Sequence, residues 1–371
     1  MNIALIAPLA FPIREPFAGG LEMQVSGLCD ALVERGHDVT LFAAQGSECS
    51  ARVVSPTTLM LCEGERAAYS DEGGCLDQAQ EFHHYVEIMT RVSQGGFDVV
   101  HNHSLFHLPA AMAHLLPMPV VATLHVPPFT FLRNAVRQSQ HYGSQHLVAV
   151  SEHCRRAWSP WAQRVEVIHN GIDLSAWPQT QSKASDCVVW AGRMCKEKAP
   201  HLAIDAARRA GKRIVLAGPV YAGDYFDAHV APRLGEDAVH VGHLNQQELG
   251  ALVASAQCFV FSSVWEEPFG LVLAEALACG TPVAAFDSGA AREVVAQGCG
   301  AICPIGDVEA LAVAIGRACQ MEPDTCRAHA RASFGMGRMA REYEALYERL
   351  VLGPLAMSSP QPTAAPLAEV V

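Results

Sequence analysis

The feature that most restricts how this chain can fold is a regular alternation of short apolar runs with helical periodicities. Short β-rich runs occupy residues 3–7, 38–43, 98–101, 120–125, 146–150 and 165–169. A second series follows at 187–191, 213–217, 239–241, 258–262 and 282–286. Most are continuously apolar, as expected for strands covered on both faces. Between them apolar residues recur at helical spacing, as in Leu21, Val25, Leu28 and Leu32, with Gly36 as a stop. Alternating βα order implies parallel sheets with right-handed crossovers. Two series imply an α/β chain of two doubly wound, Rossmann-like domains. A length of 371 residues, 50% of them apolar, is enough for two cores.

The spacing places the first domain at residues 1–172 and the second at 173–335. The join falls near 170–185, where Asn170-Gly171 is turn chemistry and the following segment is polar and irregular. A final helix is predicted over 336–352, with Met339, Tyr343, Leu346, Tyr347 and Leu350 on one face. Residues 353–371, with four prolines and a single charge, are predicted to be a disordered tail.

Composition excludes several classes. Acidic residues outnumber basic ones, 38 to 26, for a formal net charge of −12. Nucleic acid and strongly anionic membranes are therefore poor principal partners, although a local basic pocket is allowed. The longest uncharged apolar stretch, 105–124, is broken by His107, Pro109, His114, Pro117 and Pro119, and reads as helix, turn and strand. Residues 1–9 read as a buried strand rather than a leader. The 13 cysteines are scattered without a CxxC pair, which points to free thiols and a cytoplasmic setting. Cys299 and Cys303 lack a second pair, and His101, His103 and His107 do not have a standard zinc spacing, so no metal is expected.

Open parallel sheets bind ligands beyond the carboxyl ends of their strands, so the loops there carry the candidate chemistry. The first loop ends in Gly19-Gly20-Leu21-Glu22 before a helix. It can bring backbone N–H groups to an anion, or it can be an ordinary turn. The segment Gly192-Arg193-Met194-Cys195-Lys196-Glu197-Lys198 follows a strand and suits a diphosphate; a solvated basic turn is the plainer alternative. Glu275 sits among Leu271, Val272, Leu273, Ala276 and Leu277 and needs partners, which ribose hydroxyls can supply. Glu267, eight residues earlier, is either a second ligand or a helix-dipole residue. Were the stretch wholly helical, the two carboxylates would lie about 12 Å apart along the axis. His125, at a strand end, points into the cleft or is a satisfied core histidine.

In this order the motifs resemble those of the family-4 retaining glycosyltransferases of GT-B architecture. The resemblance spans roughly residues 1–350 and is carried by Gly-Gly-x-Glu at 19–22, Arg-Gly-His at 35–37 and His-Asn-Gly-Ile-Asp at 169–173. Gly192-Arg193-x(4)-Lys198 and Glu267-x(7)-Glu275 complete it. It implies two Rossmann-like domains facing across a cleft. By matching position, Gly19 and Gly20 would approach the diphosphate and the transferred sugar. Arg193 and Lys198 would neutralise the leaving group, and Glu267 would hold donor-sugar hydroxyls beside the backbone of Phe269, Gly270 and Leu271. Glu275 would bind the ribose, Gly242, His243 and Leu244 would contact the base, and His125 would face the donor sugar. One departure is Ala199, where the family often has glycine.

The resemblance further implies a retaining transfer from a nucleoside diphosphate sugar, a UDP-sugar ahead of GDP-mannose, with no cofactor. Attack would be on the same face, with the leaving phosphate taking the acceptor's proton. The chain has no DxD, so no bridging metal is implied. The acceptor is unidentified, and a soluble one is favoured over lipid. Membrane contact would be at most peripheral, through Phe129, Phe131, Leu132, Arg133 and Arg137 or through Arg155, Arg156, Trp158 and Trp161. A GT-B epimerase or hydrolase, and a non-catalytic nucleotide-sugar binder, are the alternatives.

Overall fold

Strand β1 (Asn2–Ile6) is apolar on both faces, with Ile3, Ala4, Leu5 and Ile6 fully buried, and so lies inside a sheet rather than at its edge. Around it form β2 (Asp38–Phe42), β3 (Arg52–Val54), β4 (Val99–Asn102), β5 (Val120–Leu124), β6 (His146–Ala149) and β7 (Val165–Val167). The order is β3-β2-β1-β4-β5-β6-β7, every pair parallel. A second parallel sheet, ordered β10-β9-β8-β11-β12-β13, is built from β8 (Cys187–Ala191), β9 (Arg213–Ala217), β10 (Ala238–His240), β11 (Cys258–Phe261), β12 (Val283–Phe286) and β13 (Gly300–Cys303). This computed structural model describes residues 1–57, 75–143, 145–179 and 186–353. The tail expected over 353–371 lies outside the described residues from 354 onward.

The two doubly wound sheets confirm the expected architecture. Each reverses direction once, between β1 and β4 and between β8 and β11, and at such a point a crevice opens beyond the strand ends. Two strands escaped the sequence reading. Both β3 and β13 are short, half-buried edges, so neither carries a continuous apolar run.

One apolar cluster bridges the two sheets, packing Leu124, Val150 and Trp158 with Phe259, Phe269 and Leu277. Polar contacts fix the same seam. The Glu293 carboxylate accepts from the backbone N–H of Glu152 at 2.7 Å and bonds His169 Nε2 at 2.5 Å. Burial raises the Glu293 pKa, but the His169 bond and the backbone donors outweigh it and hold the group below its ordinary value.

The C-terminal helix, Met336–Leu352, returns to the first sheet. Met339, Tyr343, Leu346 and Tyr347 join the cluster of Ile3, Leu5, Val25 and Leu28, as the predicted face requires. Arg35 and His37 clamp Glu344 of that helix, His37 Nε2 at 2.9 Å from Oε1. The Arg35-Gly36-His37 motif therefore anchors the return helix. At the hinge, Ile172 N donates to Phe334 O at 2.7 Å and Met336 N to Ile172 O at 2.9 Å, so both crossings between domains are tied together.

No helix among the described residues is long and apolar enough to cross a membrane. Both suggested surface patches lose an apolar member, since Trp158 of one is fully buried and Leu132 of the other is buried, and Arg133 of the second patch lies over the Trp161 ring of the first at 4.6 Å.

Leu346 is 1% exposed within the helix-to-sheet cluster. Leu346→Ala should lower stability by about 2–4 kcal/mol in urea unfolding, the cost of a buried Leu lost without collapse. A loss below about 0.5 kcal/mol would show that the helix is not packed as described.

Candidate functional site

A cleft of about 720 Å³ lies between the carboxyl ends of the two sheets. Its centre is an ion pair between Lys198 Nζ, in the loop after β8, and Glu267 Oε1, in the loop after β11. These strands are neighbours, so their loops meet and staple to each other. Ser262 Oγ donates towards the carbonyls of Lys198 (3.0 Å) and Ala199 (2.9 Å), and Val264 N donates to Glu197 O at 2.9 Å. Ser263 Oγ donates to Glu267 Oε1 at 3.1 Å. Sequence reasoning selected both charges but missed their direct pairing, since nothing in the spacing 198 to 267 encodes it.

Ala199 adopts a left-handed conformation at φ 46° and caps the helix Pro200–Arg209. The backbone thus explains why glycine would suit this position, and shows that alanine still completes the turn. The Glu267 backbone is held from the other side by Gly289. A Cβ there would come within 2.1 Å of Glu267 O, and φ is +59°, so only glycine lets this loop close.

The helix Leu271–Ala278 begins only at Leu271, after the left-handed Gly270. Glu267 is therefore a loop residue, and the helical separation of about 12 Å does not apply. It is not a first-turn dipole residue either. Glu275 lies inside the helix, 6% exposed, and its carboxylate has no hydrogen bond or ion pair among the described residues. Burial pushes its carboxyl up to about 8.

The other wall comes from the first domain. Gly19 caps the helix Gly20–Glu34, and a Cβ on Gly20 would lie 2.8 Å from Leu271 Cδ1, so the two domains touch across the cleft. Arg193 faces this wall, its guanidinium 4.9 Å above the Tyr221 ring. His125 lines the cleft, with Nε2 2.9 Å from His103 Nδ1. Burial holds its pKa down to about 3, so the ring is neutral.

Gly19, Gly20, Arg193, Lys198, His243, Leu244, Glu267, Phe269, Gly270 and Leu271 all line this one cleft. Gly242 and Glu275 lie behind the lining. The Gly242 carbonyl accepts from Gly218 N at 2.7 Å and so fixes the loop that presents His243. Glu22, Gln24, Asn170 and Tyr221 are among the lining residues that had no assigned role. Burial raises the Glu22 pKa, with Arg193 opposing it. Gln24 Oε1 and Asn170 Oδ1 are buried without a partner among the described residues. Gln24 could have been found as the residue one turn beyond Gly20; Asn170 was read only as turn chemistry.

Comparison with known proteins follows the same division. Residues 18–176 match the model of Glycosyltransferase Family 4, and residues 176–333 match that of Glycosyl transferases group 1. A glycogen synthase of Mycobacterium tuberculosis is 28% identical, covering 85% of this chain and 86% of its own. A phosphatidyl-myo-inositol mannosyltransferase of Propionibacterium freudenreichii is 27% identical over 80% of this chain and 79% of its own. Among solved structures, sucrose-phosphate synthase from Thermosynechococcus elongatus superposes with a TM-score of 0.77 at 20% identity, covering 95% of this chain and 99% of that one. The Anabaena protein HepE, in complex with UDP and glucose, gives 0.71 at 19% identity, covering 94% and 100%.

The raised pKa of Glu275 has a sign that can be checked. Between about pH 4.5 and 8 the unfolded carboxyl ionises and the folded one does not, so Glu275 increasingly costs stability as pH rises through that window. Glu275→Gln should therefore stabilise the protein more at pH 8 than at pH 5, by roughly 3–4 kcal/mol. Thermal unfolding at the two pH values measures it, and an equal effect at both would mean the carboxyl is solvated.

Proposed function

Because the chain belongs to the family-4 glycosyltransferases and folds as a GT-B pair of Rossmann-like domains, we propose that it carries out a retaining hexosyl or N-acetylhexosaminyl transfer. The donor is a nucleoside diphosphate sugar, a UDP-sugar in the first place, and the recipient is an acceptor hydroxyl. The observation that carries this reading is the convergence of Arg193, Lys198 and Glu267 on one cleft faced by Gly19 and Gly20. The fold of HepE, solved with UDP and glucose, supports the choice of uridine. The mannosyltransferase among the relatives keeps GDP-mannose as the second donor to test.

The chemistry follows from charge. In the empty cleft Lys198 and Glu267 hold each other in place. An arriving donor sets its diphosphate against Lys198 and Arg193 and its sugar hydroxyls against Glu267. Gly20 lets backbone approach from the opposite wall, and Glu275 receives the ribose as its ionised form gains hydroxyl donors. As the anomeric C–O bond breaks, negative charge grows on the leaving phosphate and the sugar takes oxocarbenium character. Fixed cations stabilise the first more in the transition state than in the ground state. The acceptor hydroxyl attacks the same face, and its proton passes to the departing phosphate oxygen. The two side-chain cations supply the charge neutralisation that a metal ion would otherwise give. His125, neutral, acts as a hydrogen-bonding wall.

For the acceptor we favour a soluble hydroxyl compound. Phe129, Phe131 and Arg137 are exposed, but Leu132 is buried and Arg133 folds onto Trp161, so a single cation stands beside two aromatics, thin for a lipid-surface helix.

Thermal-shift titration with UDP, GDP, ADP and dTDP and their sugars is the direct check. The matching diphosphate at a hundred times its Kd should add about 2.7 kcal/mol of stability. With that donor, Lys198→Ala and Glu267→Ala should each lower transfer by roughly 10²–10³-fold with the fold intact. A folded sample shifted by none of them, or near-normal turnover by either variant, would overturn the assignment.

A further inference from the structure

His125 does not stand alone. It ends a chain of buried polar groups that runs from the cleft to the C-terminal helix. His125 Nε2 lies 2.9 Å from His103 Nδ1, and His103 Nε2 lies 3.2 Å from His101 Nδ1. His101 Nδ1 is also 2.5 Å from the Tyr347 hydroxyl, and His101 Nε2 is 2.7 Å from Thr123 Oγ1. Thr123 Oγ1 in turn lies 2.9 Å from the Tyr343 hydroxyl. His101, His103 and Tyr347 are all 0% exposed. Burial, with the neighbouring histidines adding repulsion, holds His101 and His103 well below the ordinary histidine pKa, so each ring carries one proton and one lone pair.

That restriction orders the protons. Among the described residues, Tyr347 has His101 as its only hydrogen-bond partner. If its hydroxyl donates to His101 Nδ1, the His101 proton sits on Nε2 and goes to Thr123. Tyr347 then takes the single lone pair of that Nδ1. His103 Nε2, 3.2 Å away with the ring centroids 3.9 Å apart, meets an electron-rich unprotonated nitrogen that favours a proton there over a lone pair, so its own Nδ1 is an acceptor. His125 can fill it only with Nε2–H. The opposite order places a proton on His101 Nδ1 and leaves the buried Tyr347 hydrogen without an acceptor, an arrangement that folded proteins avoid. In the favoured order His125 Nδ1 carries a bare lone pair, and among the described residues it has no protein partner.

We propose that His101, His103 and Tyr347 are positioning residues that lock His125 in its Nε2–H tautomer, so that Nδ1 accepts a hydrogen bond from a hydroxyl of the sugar substrate. This rests on the donor-cleft reading above. A sugar hydroxyl can donate to a lone pair, whereas the other tautomer would offer it a donor and demand an acceptor. The arrangement also makes the seating of the Met336–Leu352 helix a condition for a correctly set cleft, because Tyr347 supplies the first proton of the chain.

The test is a long-range 1H–15N correlation spectrum of the full chain labelled with 15N-histidine, with His125 assigned from His125→Gln. A pyrrole-type Nε2 and a pyridine-type Nδ1 at His125 are expected. A proton on Nδ1 in the wild-type protein overturns the proposal, and this readout does not depend on finding the substrates. Tyr347→Phe and His103→Leu should mix the two tautomers and lower kcat by roughly 10-fold or more, with the donor KM changed far less. His103→Asn, whose amide oxygen can occupy the place of Nδ1, should restore both. Variants that lose turnover while His125 keeps its single tautomer would reduce the chain to a packing role, and variants that keep both would remove its role altogether. Absence of transfer with every donor would instead count against the enzyme reading, and the spectrum would still judge the tautomer.

Discussion

The Lys198–Glu267 pair is the contact on which the rest of this structure depends. Two strands adjacent in the second sheet bring the loops after β8 and β11 together, and a short set of serine and backbone bonds holds them. The pair satisfies two charges that would otherwise be costly in a half-enclosed cleft. It also presents them in the geometry that a phosphate and a polyol need, opposite in sign and side by side. A nucleoside diphosphate sugar carries that same pairing of charge and hydroxyls.

Around this pair the molecule is arranged to keep two domains in register. The seam joins them by apolar packing, by the Glu293 carboxylate at the end of the Glu152–Trp158 helix, and by the two hinge strands bonded at Ile172. The return helix closes the circuit. Its Glu344 is held by Arg35 and His37, and its tyrosines reach the buried histidines behind His125. A helix remote in sequence thereby bears on the wall of the cleft.

Much of this was legible in the sequence, for physical reasons that can be named. Doubly buried strands advertise themselves as unbroken apolar runs, which is why β1 and β11 are plain and the half-buried edges β3 and β13 are not. The charges of the cleft are legible because strand-end loops are few and cations in an acidic chain stand out. What stayed hidden was pairing across long separations, such as Lys198 with Glu267 and His101 with Tyr347. The loop character of Glu267 was hidden too, since Gly270 ends the helix only through a backbone angle. The triple histidine pattern at 101, 103 and 107 shows the same limit. Two of its members turn inward into a buried polar cluster, while His107 packs at a tilt against Phe106, and no sequence rule separates those fates.

The measurement that bears most directly on this account is a crystal structure with the nucleoside diphosphate that binds most tightly. The terminal phosphate is expected within about 2.7–3.2 Å of Lys198 Nζ and of the Arg193 guanidinium, with Glu267 freed towards the sugar side. A diphosphate bound elsewhere, with the Lys198–Glu267 pair still closed, would contradict it.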